Sequence, residues 1–244
     1  MIRFMLVLLT VFIGSPPVIA GEVHIAVASN FTNAIKAIAE RYQSDDKIVL
    51  VFGSTGKFYA QIMNGAPFDA FFAADIRRPA LLEQQGVALP GSRFTYAQGK
   101  IVLFSPKAGY ASAAVLKKRA YRYLAIANPK LAPYGGAAKQ VLEKLGLWDR
   151  VRFQLVRGEN IGQAYQFVIS GNAELGFVAL SQIKQPDIAI SGSYWEVPAD
   201  LYQPIKQQAV LLSHKESAHA FMEFVQSEEA KAIIQGFGYE VPER

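Results

Sequence analysis

Apolar residues along this chain come in short blocks, and most blocks end in a small polar turn followed by apolar positions at helical spacing. Residues 48–63 show the pattern most sharply. Ile48, Val49, Leu50 and Val51 read as a buried strand, Gly53-Ser54-Thr55-Gly56 as a turn, and Phe58, Ile62 and Met63 as one face of a helix. The same signals come earlier, with a strand at 23–28, the turn Ser29-Asn30 and a helix over about 31–43. Further strands are expected at 70–74, 94–97, 100–104, 123–127, 153–156, 175–179 and 208–212. Helices are expected at about 77–85, 137–145, 161–169, 217–226 and 228–234, with a proline-punctuated loop region around Pro186, Pro198 and Pro204. Strands alternating with helices predict an α/β architecture built on largely parallel sheets.

The N-terminus stands apart from this pattern. Arg3, the apolar run 4–13 and the small residues ending at Ala20 read as a secretory signal peptide over 1–20, cleaved between Ala20 and Gly21. The run is too short to span a bilayer, which takes roughly 20 apolar residues. With no cysteine in the chain, neither disulfides nor a lipid anchor is expected, and the expected location is the bacterial periplasm. Removing Arg3 with the leader lowers the formal charge from +5 to +4. Lys117-Lys118-Arg119 is the one compact basic run, read as a solvated face, so nucleic acid is not an expected partner. No repeat or flexible linker separates two beads. The reading is instead two lobes, 21–97 with 205–244 and 98–204, joined by two crossings of the chain, with a ligand crevice outside the carboxyl ends of the strands.

A strand that stops at a small polar turn and restarts as a helix leaves free N–H groups facing outward, with the helix dipole behind them. Four turns have this design: Ser29-Asn30, Ser54-Thr55, Tyr134-Gly135-Gly136 and Asn160-Ile161, two in each expected lobe. Neutral hydroxyls and N–H groups suit a small dianion that must be bound and released. The competing reading is four ordinary helix caps. Gly53–Lys57 also resembles the end of a phosphate-binding P-loop, but that motif needs glycine and serine or threonine where this chain has Val51 and Phe58. No G-x-S-x-G elbow or H-E-x-x-H pair occurs, and His214 and His219 are five apart rather than four. Asp69 and Asp75 flank a strand and read as scaffold, and the tyrosines show no spacing specific to a ferric site.

The chain resembles the periplasmic molybdate-binding proteins of ABC transporters, within the type II two-lobed binding proteins. The resemblance rests on Ala28-Ser-Asn-Phe-Thr-Asn-Ala34, Phe52-Gly-Ser-Thr-Gly56, Gly65-Ala-Pro-Phe-Asp-Ala-Phe-Phe-Ala-Ala-Asp75, Ala127-Asn-Pro-Lys-Leu-Ala-Pro-Tyr-Gly135 and Gly158-Glu-Asn-Ile-Gly-Gln-Ala164 with Gly176-Phe-Val-Ala179, and it covers the chain beyond the leader. It implies a monomer that captures molybdate or tungstate, closes around it and delivers it to an inner-membrane permease, with no catalysis and no cofactor. Carried over, the oxyanion-binding residues are Ser29, Asn30, Ser54, Thr55, Tyr134, Asn160 and Ile161. The departure is Ala179, where the best-known members carry a tyrosine that reaches the anion. The alternatives are the same fold holding sulfate or phosphate, and an exported enzyme using the same cleft.

Overall fold

The computed structural model describes residues 21–242; the leader expected at 1–20 lies outside the described residues. In chain order, β1 (Glu22–Ala28) leads through a single 3-10 turn into α1 (Thr32–Arg41), β2 (Lys47–Gly53) into α2 (Thr55–Met63), and β3 (Ala70–Ala73) into α3 (Arg77–Gln84). The strands β4 (Phe94–Gly99) and β5 (Ile101–Ser105) are almost continuous, followed by α4 (Ala113–Lys118) and β6 (Leu124–Ala127). Next come α5 (Pro133–Lys144), α6 (Trp148–Val151), β7 (Leu155–Gly158), α7 (Ile161–Ile169), β8 (Leu175–Ala179), α8 (Leu180–Ile183) and β9 (Ser193–Glu196). The strand β10 (Ile205–Leu211) precedes the terminal helices α9 (Glu216–Val225) and α10 (Glu228–Gly236).

These strands form two five-stranded sheets of one design. The first has the order β2-β1-β3-β10-β4 and the second β7-β6-β8-β5-β9. In each, three parallel strands are joined by a fourth running antiparallel, and that fourth strand is the one that has just arrived from the other sheet. The chain crosses to the second sheet between Gly99 and Ile101 and returns between Glu196 and Ile205. This is the two-lobed α/β arrangement expected from the alternation of strand and helix signals.

Both faces of each sheet are covered, which explains why the central strands are apolar throughout. In β3, Phe72 packs with Ile25 and Phe31 on the side of α1, α9 and α10, while Phe71 packs with Phe58 and Leu82 on the side of α2 and α3. Successive side chains point to opposite faces, so adjacent phenylalanines serve two cores. In the second sheet, Leu103 and Phe177 face α5, and Val102 and Val178 face Val168 of α7. Among the described residues no helix is long and apolar enough to cross a membrane.

The structure moves several expected boundaries. The strand expected at 153–156 is β7, two residues later, and Phe153 lies largely exposed before it. Tyr134-Gly135-Gly136, read as a turn, lies inside the first turn of α5, with Pro133 at its start. Proline fits there because a first-turn N–H has no intrahelical partner. The short α4, α6, α8 and β9 were not expected from the pattern, being too brief to show a period.

Candidate functional site

Register places the expected turns side by side. Ala28 pairs with Gly53 at the ends of β1 and β2, so Ser29 and Ser54 leave adjacent strands on the same edge. Ala127 pairs with Gly158 at the ends of β6 and β7, bringing the α5 and α7 starts together in the second lobe. The two edges meet. Ser29 Oγ donates to Asn160 Oδ1 (3.1 Å) and accepts from Gly162 N (3.1 Å). Gly56 N donates to Leu131 O (2.8 Å), Arg78 Nη2 to Lys130 O (3.3 Å), and Ser181 Oγ to Asn30 O (2.9 Å). The lobes are therefore closed on each other along this seam.

The side chains in the seam divide into those already engaged and those left to donate. Ser54 Oγ accepts from Lys57 N (3.3 Å), the ordinary N-cap bond of α2, and its proton meets no acceptor among the described residues. Thr55 Oγ1 accepts from Ala74 N (3.0 Å), which leaves its O–H as a donor, and the residue is buried. Asn160 Oδ1 caps α7 through Gln163 N (3.0 Å) while also receiving Ser29. Both amide hydrogens of Asn30 are occupied, by Gln207 Oε1 (2.7 Å) and Tyr239 OH (2.9 Å). What Asn30 can still offer as a donor is its first-turn N–H.

Tyr134 is buried, and its hydroxyl accepts from Gln207 Nε2 (3.2 Å). Burial, and beyond it the neighbouring phenols Tyr239 and Tyr96, push its pKa well up, so the group stays a neutral donor. The N–H groups of Thr55, Tyr134 and Ile161 sit in the first turns of α2, α5 and α7, where no carbonyl of the same helix reaches them. Ile161 O accepts from Gln182 Nε2 (3.1 Å), and Gln182 Oε1 accepts from Ala179 N (2.9 Å). Ala179 thus holds this corner through its backbone, with its methyl in the same buried cluster as Tyr134.

Two cations at the seam are matched by carboxylates. Lys57 Nζ pairs with Glu159 Oε2 across the lobes (3.2 Å), and Arg78 pairs with Asp75 three residues earlier. Asp75 also accepts from Arg78 N (2.9 Å) at the entry to α3. Asp69 lies at the other end of β3. It accepts from His24 N (2.8 Å), Ser213 Oγ (2.8 Å) and Lys215 Nζ (3.0 Å), so it fastens the strand and not a ligand. Beside the Ser29–Asn160 bridge the seam opens into a cleft of about 360 Å³, lined by Asn33, Phe52, Gln163 and Gln166 among others.

Several members of this network were not singled out from the sequence: Gln207, Tyr96, Tyr239, Ser181 and Gln182, all buried. Each meets a partner distant in sequence, so its one letter carries no local signal.

Comparison with known proteins agrees with this geometry. Residues 23–240 match the family of bacterial extracellular solute-binding proteins. The molybdate-binding protein ModA of Azotobacter vinelandii is 51% identical over 227 residues, 90% of each chain. That of Rhodobacter capsulatus is 46% identical over 230 residues, covering 91% of this chain and 90% of the relative. The solved structure of the Azotobacter vinelandii periplasmic molybdate-binding protein superposes with a TM-score of 0.87 at 44% identity, over 91% of this chain and all of the other. With two like sheets meeting along a seam of helix starts, the chain belongs to the bacterial extracellular solute-binding protein family.

Proposed function

We propose that this exported protein captures molybdate, and tungstate with it, in the periplasm and delivers it to an inner-membrane ABC permease. The observation that carries the reading is the convergence of four helix starts from two lobes on one seam whose free groups are uncharged donors. The similarity to molybdate-binding proteins supports the choice of anion. The proposed donor set is the hydroxyls of Ser54 and Thr55 and the first-turn N–H groups of Asn30, Thr55, Tyr134 and Ile161, with Ser29 and Asn160 holding the lobes together above them.

Hydrogen bonds to a charged partner contribute roughly 1.5–3 kcal/mol each, so a handful of neutral donors holds a dianion firmly without a lysine or arginine. The same arrangement selects against protonated anions. Acceptors beside the free donors already take bonds: Thr55 Oγ1 from Ala74 N, and Asn160 Oδ1 from Gln163 N and Ser29. A protonated phosphate would meet donors but few acceptors, whereas a fully ionised dianion needs donors alone, and among such dianions the smaller sulfate is set apart by size in a shell of rigid donors. Binding on one lobe followed by closure of the other is the motion that two chain crossings permit.

Calorimetric titration of the protein with molybdate, tungstate, sulfate and phosphate at neutral pH tests this. Tight binding of the first two, with sulfate and phosphate weaker by at least about 100-fold (some 2.7 kcal/mol), is expected. Sulfate or phosphate binding as tightly as molybdate overturns the assignment of the anion.

A further inference from the structure

Behind the helix starts lies a buried polar chain that touches both crossings. Gln207, on β10 just after the return to the first sheet, has no solvent exposure. Its Oε1 accepts from Asn30 Nδ2 (2.7 Å) and lies 3.0 Å from Tyr96 OH, whose single proton also faces Ala73 O (3.1 Å), and its Nε2 donates to Tyr134 OH (3.2 Å). A register irregularity between Gln207 and Gln208 leaves Tyr96 without a partner in β10, and its hydroxyl meets the amide. Such bulges re-aim side chains next to functional sites. At the other crossing, a Cβ on Gly99 would lie 1.9 Å from Tyr134 OH and 2.6 Å from Gln207 Nε2. The absent side chain there is what lets the first-lobe amide reach the second-lobe phenol.

The bonds have a fixed direction. Tyr239 OH donates to Asn30 O (2.8 Å) and accepts one Asn30 amide hydrogen; the other goes to Gln207 Oε1. With its oxygen so engaged, Gln207 can turn only its NH2 toward Tyr134, whose oxygen accepts and whose proton is left to point elsewhere. One amide therefore orients an anion-site turn from each lobe: the Asn30 turn after β1 and the Tyr134 start of α5.

Resting on the reading of the site above, we propose that Gln207 is the positioning residue that locks these two turns into one donor geometry on closure. It touches the anion only through Asn30 and Tyr134. The titratable groups around it are the phenols of Tyr96 on β4, Tyr134 on α5 and Tyr239 after α10, with the Asp75 carboxylate acting on Tyr96. The phenols stay neutral through the ordinary pH range, so any pH dependence introduced at this position comes from the substitution itself.

Gln207→Glu tests the proposal by isothermal titration of the full chain with molybdate between pH 5 and pH 8.5, beside the wild type. An ionised carboxylate has no donor for Tyr134 and repels the incoming dianion. Relative to wild type, binding is expected to weaken by at least about tenfold at pH 8 and to recover toward pH 5. The binding enthalpy is expected to vary with the buffer, as proton uptake requires. Repulsion of the dianion would couple binding to a proton by charge alone, so the pH dependence is read together with a double-mutant cycle that introduces no charge. Wild-type affinity at every pH, or a loss that does not change with pH, overturns the proposal. Alongside the titration, whether or not Gln207→Glu folds, Gln207→Met and Tyr134→Phe give that double-mutant cycle: single losses of about tenfold with no further loss in the double support the proposal, and additive losses or none overturn it. A wild-type chain that binds no molybdate in the same titration overturns the reading of the site instead.

Discussion

The two lobes share one strand order, yet they furnish the seam differently. In the first lobe the turns after β1 and β2 present Ser29, Asn30, Ser54 and Thr55, whose side chains make the polar contacts. In the second lobe the corresponding helix starts carry Tyr134 and Ile161, whose side chains pack into the core beside Ala127 and Ala179. In the proposed donor set, what the second lobe offers an anion is backbone N–H. The difference follows from what each kind of donor tolerates. A hydroxyl is lost with its residue, whereas a first-turn N–H survives any substitution that keeps the helix.

This contrast predicts the largest effect. Thr55→Val keeps the shape but removes the hydroxyl that is free to donate and leaves Ala74 N–H without its acceptor. Molybdate affinity is expected to fall by roughly 10- to 100-fold, corresponding to about 1.5–3 kcal/mol for a lost charged hydrogen bond. Ile161→Val in the second lobe keeps its N–H, and affinity is expected to stay within about twofold, since one buried methylene is what changes. Calorimetry on the pair decides the matter. Equal losses in the two variants would mean that the lobes do not divide the donors between hydroxyl and backbone.

A smaller effect is expected where the lobes touch without side chains. Gly56 N reaches Leu131 O at 2.8 Å, and a Cβ on Gly56 would lie 2.9 Å from that oxygen and 3.0 Å from Leu131 Cα. The Cβ would also lie 3.0 Å from Arg78 Nη2 in its own lobe, but that flexible end can swing aside, so Gly56→Ala strains chiefly the closed form. Overpacking of this kind costs about 1–3 kcal/mol, which part of the closing motion can absorb. We expect molybdate affinity to drop about fivefold to tenfold, with small-angle scattering of the liganded variant showing incomplete closure. A wild-type scattering profile and affinity would mean that the seam yields at Leu131.

The sequence made one half of this contrast easier to read than the other. Ser29, Asn30, Ser54 and Thr55 interrupt apolar runs, so a strand, a hydroxyl turn and a helix follow each other visibly along the chain. Tyr134 and Ile161 are apolar positions whose importance lies in where a helix begins. That start was set too late at Tyr134, because Pro133-Tyr-Gly-Gly136 has the composition of a turn. The sheets were legible because parallel strands covered on both sides must be apolar throughout, as Ala70–Ala73 is. Gln207 was not legible: its meaning depends on Asn30, distant in sequence, and on Tyr134 in the other lobe. Long-range hydrogen bonds leave no local pattern.

The smallest effect on binding is expected at the far end of the first lobe, where a carboxylate does structural work away from the seam. Asp69 precedes β3, and bonds from His24 N, Lys215 Nζ and Ser213 Oγ tie it to β1 and to the segment after β10. Burial alone would raise its pKa, but these donors outweigh burial and hold it below the ordinary carboxylate value. A carboxyl whose folded pKa is depressed contributes stability at pH above its unfolded value, and that contribution disappears as pH falls through the folded value. Wild-type melting temperature should therefore decline on the acid side, below about pH 4, as Asp69 protonates. Asp69→Asn keeps the size of the side chain and loses the charge. It should melt lower at pH 7, show a shallower acid decline, and bind molybdate as the wild type does, because the anion seam lies at the opposite ends of β1 and β3. Weakened molybdate binding in that variant, with its melting temperature unchanged, would put the Asp69 anchor in communication with the seam and remove the separation between scaffold and site within the first lobe.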